Sequence, residues 1–314
     1  MVDGINALDS KILTTTTVKT VGSGGDFATL NQAIDWCNGF LYINDGNIEI
    51  SLNTGYVIDE AVYVEDSDLS RVTVKSVDTE VLVKVNSEWC INGRNSKMFK
   101  LGFILRANSS MYLGISLVNS EMEILNNCGY THGAVNIQLV NSKILGVGII
   151  KAVSVGNYLI VGKVSLNKDS VIKCGYLDCS RISIDNSTIF IDNLKVKEIV
   201  LNGSFVTNFT TFSIADTYTE LRIKVTNCSN MYIGYNNSPI VDINVNANSR
   251  CLCSESLTGV RNVRSTDGSN LVINGITFSG TATVSNGSII SAKGSTGTLS
   301  QTANTITADG IIFK

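Results

Sequence analysis

One eight-residue template returns along this chain: apolar-x-apolar-x-Asn-Ser-x-apolar. It reads Ile115-x-Leu117-x-Asn119-Ser120-x-Met122, then Ile137-x-Leu139-x-Asn141-Ser142-x-Ile144, then Ile182-x-Ile184-x-Asn186-Ser187-x-Ile189. Val164-x-Leu166, followed by Asp169-Ser170 and Ile172, is a degenerate copy between the last two, with one residue inserted. Weaker echoes stand at Val225-x-Asn227-Cys228 and Val284-x-Asn286-Gly287-x-Ile289. The alternating apolar pair is half-buried strand, and asparagine is the side-chain-bearing residue that best tolerates a left-handed corner. Period-two alternation elsewhere (Ile48, Ile50, Leu52; Val81, Val83, Val85; Leu221, Ile223, Val225; Val241, Ile243, Val245) permits a sandwich, a barrel or a solenoid. The repeat decides among them. A period near 22 with three short strands is one coil of a parallel β-helix, each coil satisfying its neighbour's backbone hydrogen bonds. The sequence therefore predicts an all-β solenoid with roughly a dozen coils between Phe40 and Gly310.

A stack of coils has an open end that needs covering. Thr20–Gly39, TVGSGGDFATLNQAIDWCNG, supplies the cover. Gly22-Ser23-Gly24-Gly25 turns the chain, and Thr29 with Gln32 matches a capping box. Leu30, Ala33, Ile34 and Cys37 form one apolar stripe of a short helix, with Gly39 placed for a left-handed C-cap. GSGGDFATLNQAI also resembles the opening of pectate-lyase-like right-handed β-helices, shared by pectin-active enzymes and by bacteriophage tail spikes and fibres. The resemblance covers about Val18 to the end. It implies a right-handed parallel β-helix behind an N-terminal capping α-helix, and, on the phage side, a homotrimer.

Three segments are expected: 1–17 as an N-terminal joint, 18–258 as the helix-capped β-helix, and 259–314 as terminal coils or a small β end-piece. The net charge of −3 offers no electrostatic case for nucleic acid or acidic lipid. No apolar run approaches a membrane span, and Met1–Leu13 lacks the basic start and apolar centre of a secretory signal. The eight cysteines include no CxxC, and one histidine cannot complete a Cys/His zinc set, so neither a metal nor a cofactor is expected. Cys251 and Cys253, two apart in a strand, read as inward-facing reduced thiols.

Tyr130 stands nine residues before Leu139, and Tyr158 and Tyr176 stand eight before Leu166 and Ile184, so one coil position is expected for all three. Such a ladder either fills the coil or offers a platform to sugar rings. NSEWCINGRN brings Glu88, Trp89 and Arg94 into one loop-like segment, where Trp89 either contacts glycan or packs against the coil. Glu121 and Glu123 flank inward-facing Met122 about 7 Å apart, near a glycosidase carboxylate separation; Lys143 one period after Glu121 offers a salt-bridged surface instead. Asp178, Asp185 and Asp192 read as turn residues, Glu60, Glu65, Asp66 and Asp68 as a solvated edge, and His132 as a surface corner.

The motifs that pectin-methylesterase-like, pectate-lyase-like and polygalacturonase-like sites require are missing; of the last only His132-Gly133 survives. The resemblance thus points to a phage tail fibre or spike that binds bacterial surface polysaccharide, made in the host cytoplasm and carried on the virion tail. Residues 1–17 would join it to other tail proteins. Cleavage of the glycan, as a glycoside hydrolase or polysaccharide lyase, stays open at this stage. The rival expectations are a structural virion fibre without a ligand and a bacterial polysaccharide-degrading β-helix enzyme.

Overall fold

The structure is a computed structural model. It describes residues 12–313 except 39, 86–88, 108–111, 126–128, 132–133, 147–148, 152–162, 168–169, 204, 207–210, 214–220, 228, 234–240, 254–259, 274, 276, 279, 298–304 and 307–310. Among the described residues all regular structure is β-strand apart from one helix, and every strand pairing is parallel. Contacts divide the chain into two units, residues 1–158 and 159–314.

The first unit opens as its sequence foretold. Thr16–Val21 forms the first strand of the stack, and the chain then turns through Gly22 at φ 112° and Gly24 at φ 73°. Gly25 has no room for a side chain, since a Cβ would lie 2.9 Å from the Thr20 carbonyl oxygen. Asp26 ties the turn: one carboxylate oxygen accepts from the Thr20 N–H at 2.8 Å and its hydroxyl at 2.9 Å, the other from Lys19 Nζ at 2.9 Å. These bonds hold the Asp26 carboxyl well below the usual carboxylate range. Helix α1 (Leu30–Cys37) follows. The Thr29 side chain accepts from the Gln32 N–H, the Gln32 side chain returns the bond, and Leu30, Ala33, Ile34 and Cys37 are all buried. The C-cap is Asn38 in extended conformation; Gly39 lies outside the described residues.

Three faces then stack. The first runs Thr16–Val21, Asn47–Leu52, the start of Val72–Val83, the start of Lys97–Ala107, Glu121–Ile124 and Lys143–Gly146. The second runs Val57–Ile58, the ends of the same two long strands, Gly129–Thr131 and Ile149–Lys151. The third runs Val62–Glu65, Ile91–Arg94, Tyr112–Val118 and Ala134–Val140. This is the strand order of parallel β-helix coils. The inward rows are apolar and shut from water, as at Ile50, Val74 and Leu101 or Ile115, Leu117 and Ile137.

The turn from third face to first repeats one device. Asp66, Asn95, Asn119 and Asn141 all stand at φ between 48° and 50°, in the left-handed region. Their side chains form a ladder: Asn95 Nδ2 donates to Asp66 Oδ1 at 3.0 Å, Asn119 to Asn95 at 2.9 Å and Asn141 to Asn119 at 3.1 Å. Beside it runs a second, buried ladder. Ser120 Oγ accepts from the Ser96 N–H at 3.1 Å and donates to its own Val118 carbonyl at 2.8 Å; Ser142 does the same for Ser120 and Val140. Each serine thus satisfies a corner amide that no strand partner can reach.

The second unit is built by the same logic. Val164 and Leu166 pair with Ile182 and Ile184, so the degenerate copy of the template is a true coil, and the Ser170 N–H donates to Ser187 Oγ at 3.1 Å. Asn186 and Asn227 are left-handed, as expected. From Ala247 onward the corner holds two left-handed residues, Ala247-Asn248, Asp267-Gly268 and Asn286-Gly287, ahead of buried Ser249, Ser269 and Ser288. Thr305–Ile306 and Ile311–Phe313 pair with the coil before them, so the described part of the C-terminal tail continues this stack. Asp178 falls inside the strand Val171–Asp185, Asp185 ends that strand beside left-handed Asn186, and Asp192 falls in Thr188–Asn202 at a position skipped by the 13 register pairs that join the two strands. Cys251 and Cys253 are buried, free and 4.0 Å apart at sulfur.

Candidate functional site

The outward residues of the third face of the first unit line up across coils. Register pairs Tyr63 with Asn92, Asn92 with Ser116 and Ser116 with Gln138. The next outward row pairs Glu65 with Arg94 and Arg94 with Val118. Tyr63, Glu65, Asn92, Arg94, Ser116 and Val118 border a surface groove of about 300 Å³. Tyr63 is 62% exposed, large for a ring flanked by Val62 and Val64, both buried in the core. Arg94 Nη1 stands 3.5 Å from Glu65 Oε1, with both side chains mostly in solvent.

Helix α1 sets the edge of this face. Among the described residues the strand Val62–Glu65 is the first of its row, with no strand beside one of its edges. The Asn31 side chain takes that place, donating to the Ala61 carbonyl at 2.8 Å and accepting from the Tyr63 N–H at 3.3 Å. The Tyr63 backbone is therefore pinned from both sides, by Asn31 and by the strand Ile91–Arg94.

Across the asparagine corner lies a second groove, of about 580 Å³, lined by Asp66, Asp68, Lys97, Glu121 and Lys143 with the amide ladder between them. Both of its lysines are matched to a carboxylate. Lys97 meets Asp68 at 3.0 Å and Lys143 meets Glu121 at 3.9 Å. Burial alone would raise the Asp68 pKa, but the Ser70 hydrogen bonds and the Lys97 ammonium outweigh it and hold the carboxyl below its usual value.

Of the residues singled out from sequence, Arg94 enters the groove and Trp89 borders it in sequence only. Trp89 is half-buried, with its carbonyl accepting from Asn92 Nδ2 at 3.3 Å, and Glu88 lies outside the described residues. Glu121 pairs with Lys143, and Glu123 with Lys100 at 3.3 Å, which is a salt-bridged solvent face. Tyr130 has no tyrosine on either adjacent rung, and the stacking of Tyr158 on Tyr176 falls outside the described residues. The rungs on either side of Tyr130 hold Leu105 and Ile150, and Tyr176 pairs with Asn193. Counting back from Leu139 assumed coils of equal length, and the coils differ. Tyr130 shares its row with Val81 and Leu105, both buried. Tyr158 and His132 lie outside the described residues.

Tyr63, Asn92 and Ser116 escaped the sequence reading although a signal was present. Val62-x-Val64-x-Asp66-Ser67-x-Leu69 and Ile91-x-Gly93-x-Asn95-Ser96-x-Met98 are the same template with Asp for Asn and Gly for an apolar residue. Aligning them would have placed Tyr63 beside Asn92 and Glu65 beside Arg94. Among the described residues no cluster of three or more His, Cys, Asp or Glu could hold a metal ion, and no helix is long and apolar enough to cross a membrane. No protein-family model matches the chain, and no curated protein matches it.

Proposed function

We propose that this chain is a glycan-binding fibre or spike subunit of the bacteriophage type. In this reading it is a right-handed β-helix of roughly a dozen coils, assembled as a homotrimer on the virion tail. It contacts the surface polysaccharide of a bacterial host, and residues 1–17 join it to other tail proteins. The observation that carries the binding role is the row Tyr63–Asn92–Ser116–Gln138 beside Arg94. An exposed ring offers an apolar face for a sugar ring, while amides and a hydroxyl offer donors and acceptors for sugar hydroxyls. The row advances about 4.8 Å per coil, so a polymer lying across the coils meets a polar partner at each step. The GSGGDFATLNQAI opening and its capping helix support the scaffold half of the proposal.

A second reading, a structural fibre without ligand, draws on the lysine-paired Glu121, Glu123 and Asp68, which need no ligand to explain them. Adsorption separates the two. Fluorescently labelled protein is mixed with a panel of bacterial strains, with and without their extracted surface polysaccharide as competitor. The proposal expects adsorption to some strains that the soluble polysaccharide abolishes; no adsorption to any strain leaves the structural fibre. Light scattering should return about three times the 33.7 kDa chain, and a monomer at micromolar concentration would refute the virion assembly.

A further inference from the structure

We infer that the groove selects uncharged glycans and that Glu65 sets this selectivity, an inference that rests on the glycan-binding reading above. Arg94 is the cation of the groove, and a bare guanidinium beside an exposed ring would suit a sugar acid. Glu65 sits at the register position next to it, with Oε1 3.5 Å from Nη1. The next residue, Asp66, is a second carboxylate at the corner, held there by the Asn95 amide. An acidic sugar entering beside Tyr63 therefore meets the Glu65 carboxylate and an arginine already engaged by it, while Asp66 lines the groove across the corner. Across the corner the pattern repeats: Lys97 and Lys143 are each matched to a carboxylate. No cation bordering either groove lacks a carboxylate within 4 Å among the described residues. A neutral chain loses nothing by this arrangement, because it needs only the ring, the amides and the hydroxyl. Like-charge juxtaposition of this kind rejects the wrong ligand without adding affinity for the right one. Both Glu65 and Arg94 are exposed, and exposed ion pairs contribute little to folding, so removing the Glu65 charge tests recognition without a large loss of stability.

The test uses surface polysaccharides extracted from the strain panel and split by anion exchange into neutral and acidic pools. The wild-type chain should bind material from the neutral pool and ignore the acidic pool. Glu65→Gln should raise the ratio of acidic-pool to neutral-pool binding by at least about tenfold. That new binding should fall steeply with salt, being carried by a freed, exposed Arg94. The double variant Glu65→Gln/Arg94→Gln should lose it again. Equal wild-type binding to both pools, or an acidic gain that survives in the double variant, overturns the role of Glu65 and leaves the glycan-binding reading standing. Failure of the wild-type chain to bind either pool overturns that reading itself.

Discussion

Asn119 is the sharpest test of the corner, because its two contributions can be separated by two substitutions. Its side chain donates to Asn95 Oδ1 at 2.9 Å and accepts from Asn141 Nδ2 at 3.1 Å, and its backbone sits at φ 50°. Both amide bonds lie in an exposed corner, so each contributes about 0.5–1 kcal/mol. Asn119→Gly removes both bonds and keeps a residue at ease in the left-handed region, for a loss of about 1–2 kcal/mol. Asn119→Ala removes the same bonds and forces a Cβ-bearing residue without a polar group into that region, adding about 1 kcal/mol. Urea denaturation followed by tryptophan fluorescence measures both. The order wild type, Gly, Ala should hold, with Gly and Ala about 1 kcal/mol apart. Gly and Ala of equal stability would mean that the backbone conformation is not what asparagine supplies here.

Further outcomes follow from the same geometry. Ser120→Ala strands the Ser96 N–H in a buried corner and should cost about 1–3 kcal/mol by the same denaturation assay. Leu117→Ala, in the fully buried inward row, should cost about 2–5 kcal/mol. Burial pushes the Cys37 and Cys90 thiols up to about 12, and contact with Cys251 together with burial pushes Cys253 up as well. These thiols should resist alkylation at pH 8 in the native chain and react once it is unfolded, as mass spectrometry would show. Asp26 has its folded pKa depressed, so its contribution is fully present above the unfolded carboxylate value of about 3.9 and fades as pH falls below it. Asp26→Asn should therefore flatten the acid limb of the stability profile below about pH 4.

How much was legible in the sequence follows from what local pattern can and cannot carry. The capping box, the apolar stripe of α1 and the left-handed corners at Asn119, Asn141 and Asn186 were readable, because each depends on residues within one turn or one template. Tyr130 was misplaced, with Ile150 on its next rung, because the ladder required knowing how many residues separate two faces; Tyr158 lies outside the described residues. The corner-to-corner steps from Asp66 to Asn95, Asn119 and Asn141 are 29, 24 and 22 residues, so no fixed period can register one coil on another. Glu65 and Arg94 were legible only through the two divergent template copies, Val62–Leu69 and Ile91–Met98, which a strict apolar-x-apolar-x-Asn-Ser pattern passes over. The serine ladder was half visible: Ser followed Asn in every full copy, yet nothing local says that its hydroxyl serves an amide in the neighbouring coil.

Tyr63→Ala tests the central claim, measured for adsorption to host cells and for melting temperature on the same preparation. The side chain is 62% exposed, so its removal should shift the melting temperature by no more than about 2 °C. Adsorption should fall by about tenfold or more, since the ring is the groove's one broad apolar surface for a sugar. Unchanged adsorption with unchanged melting would contradict the account, because the row that carries the proposal would then have no part in binding.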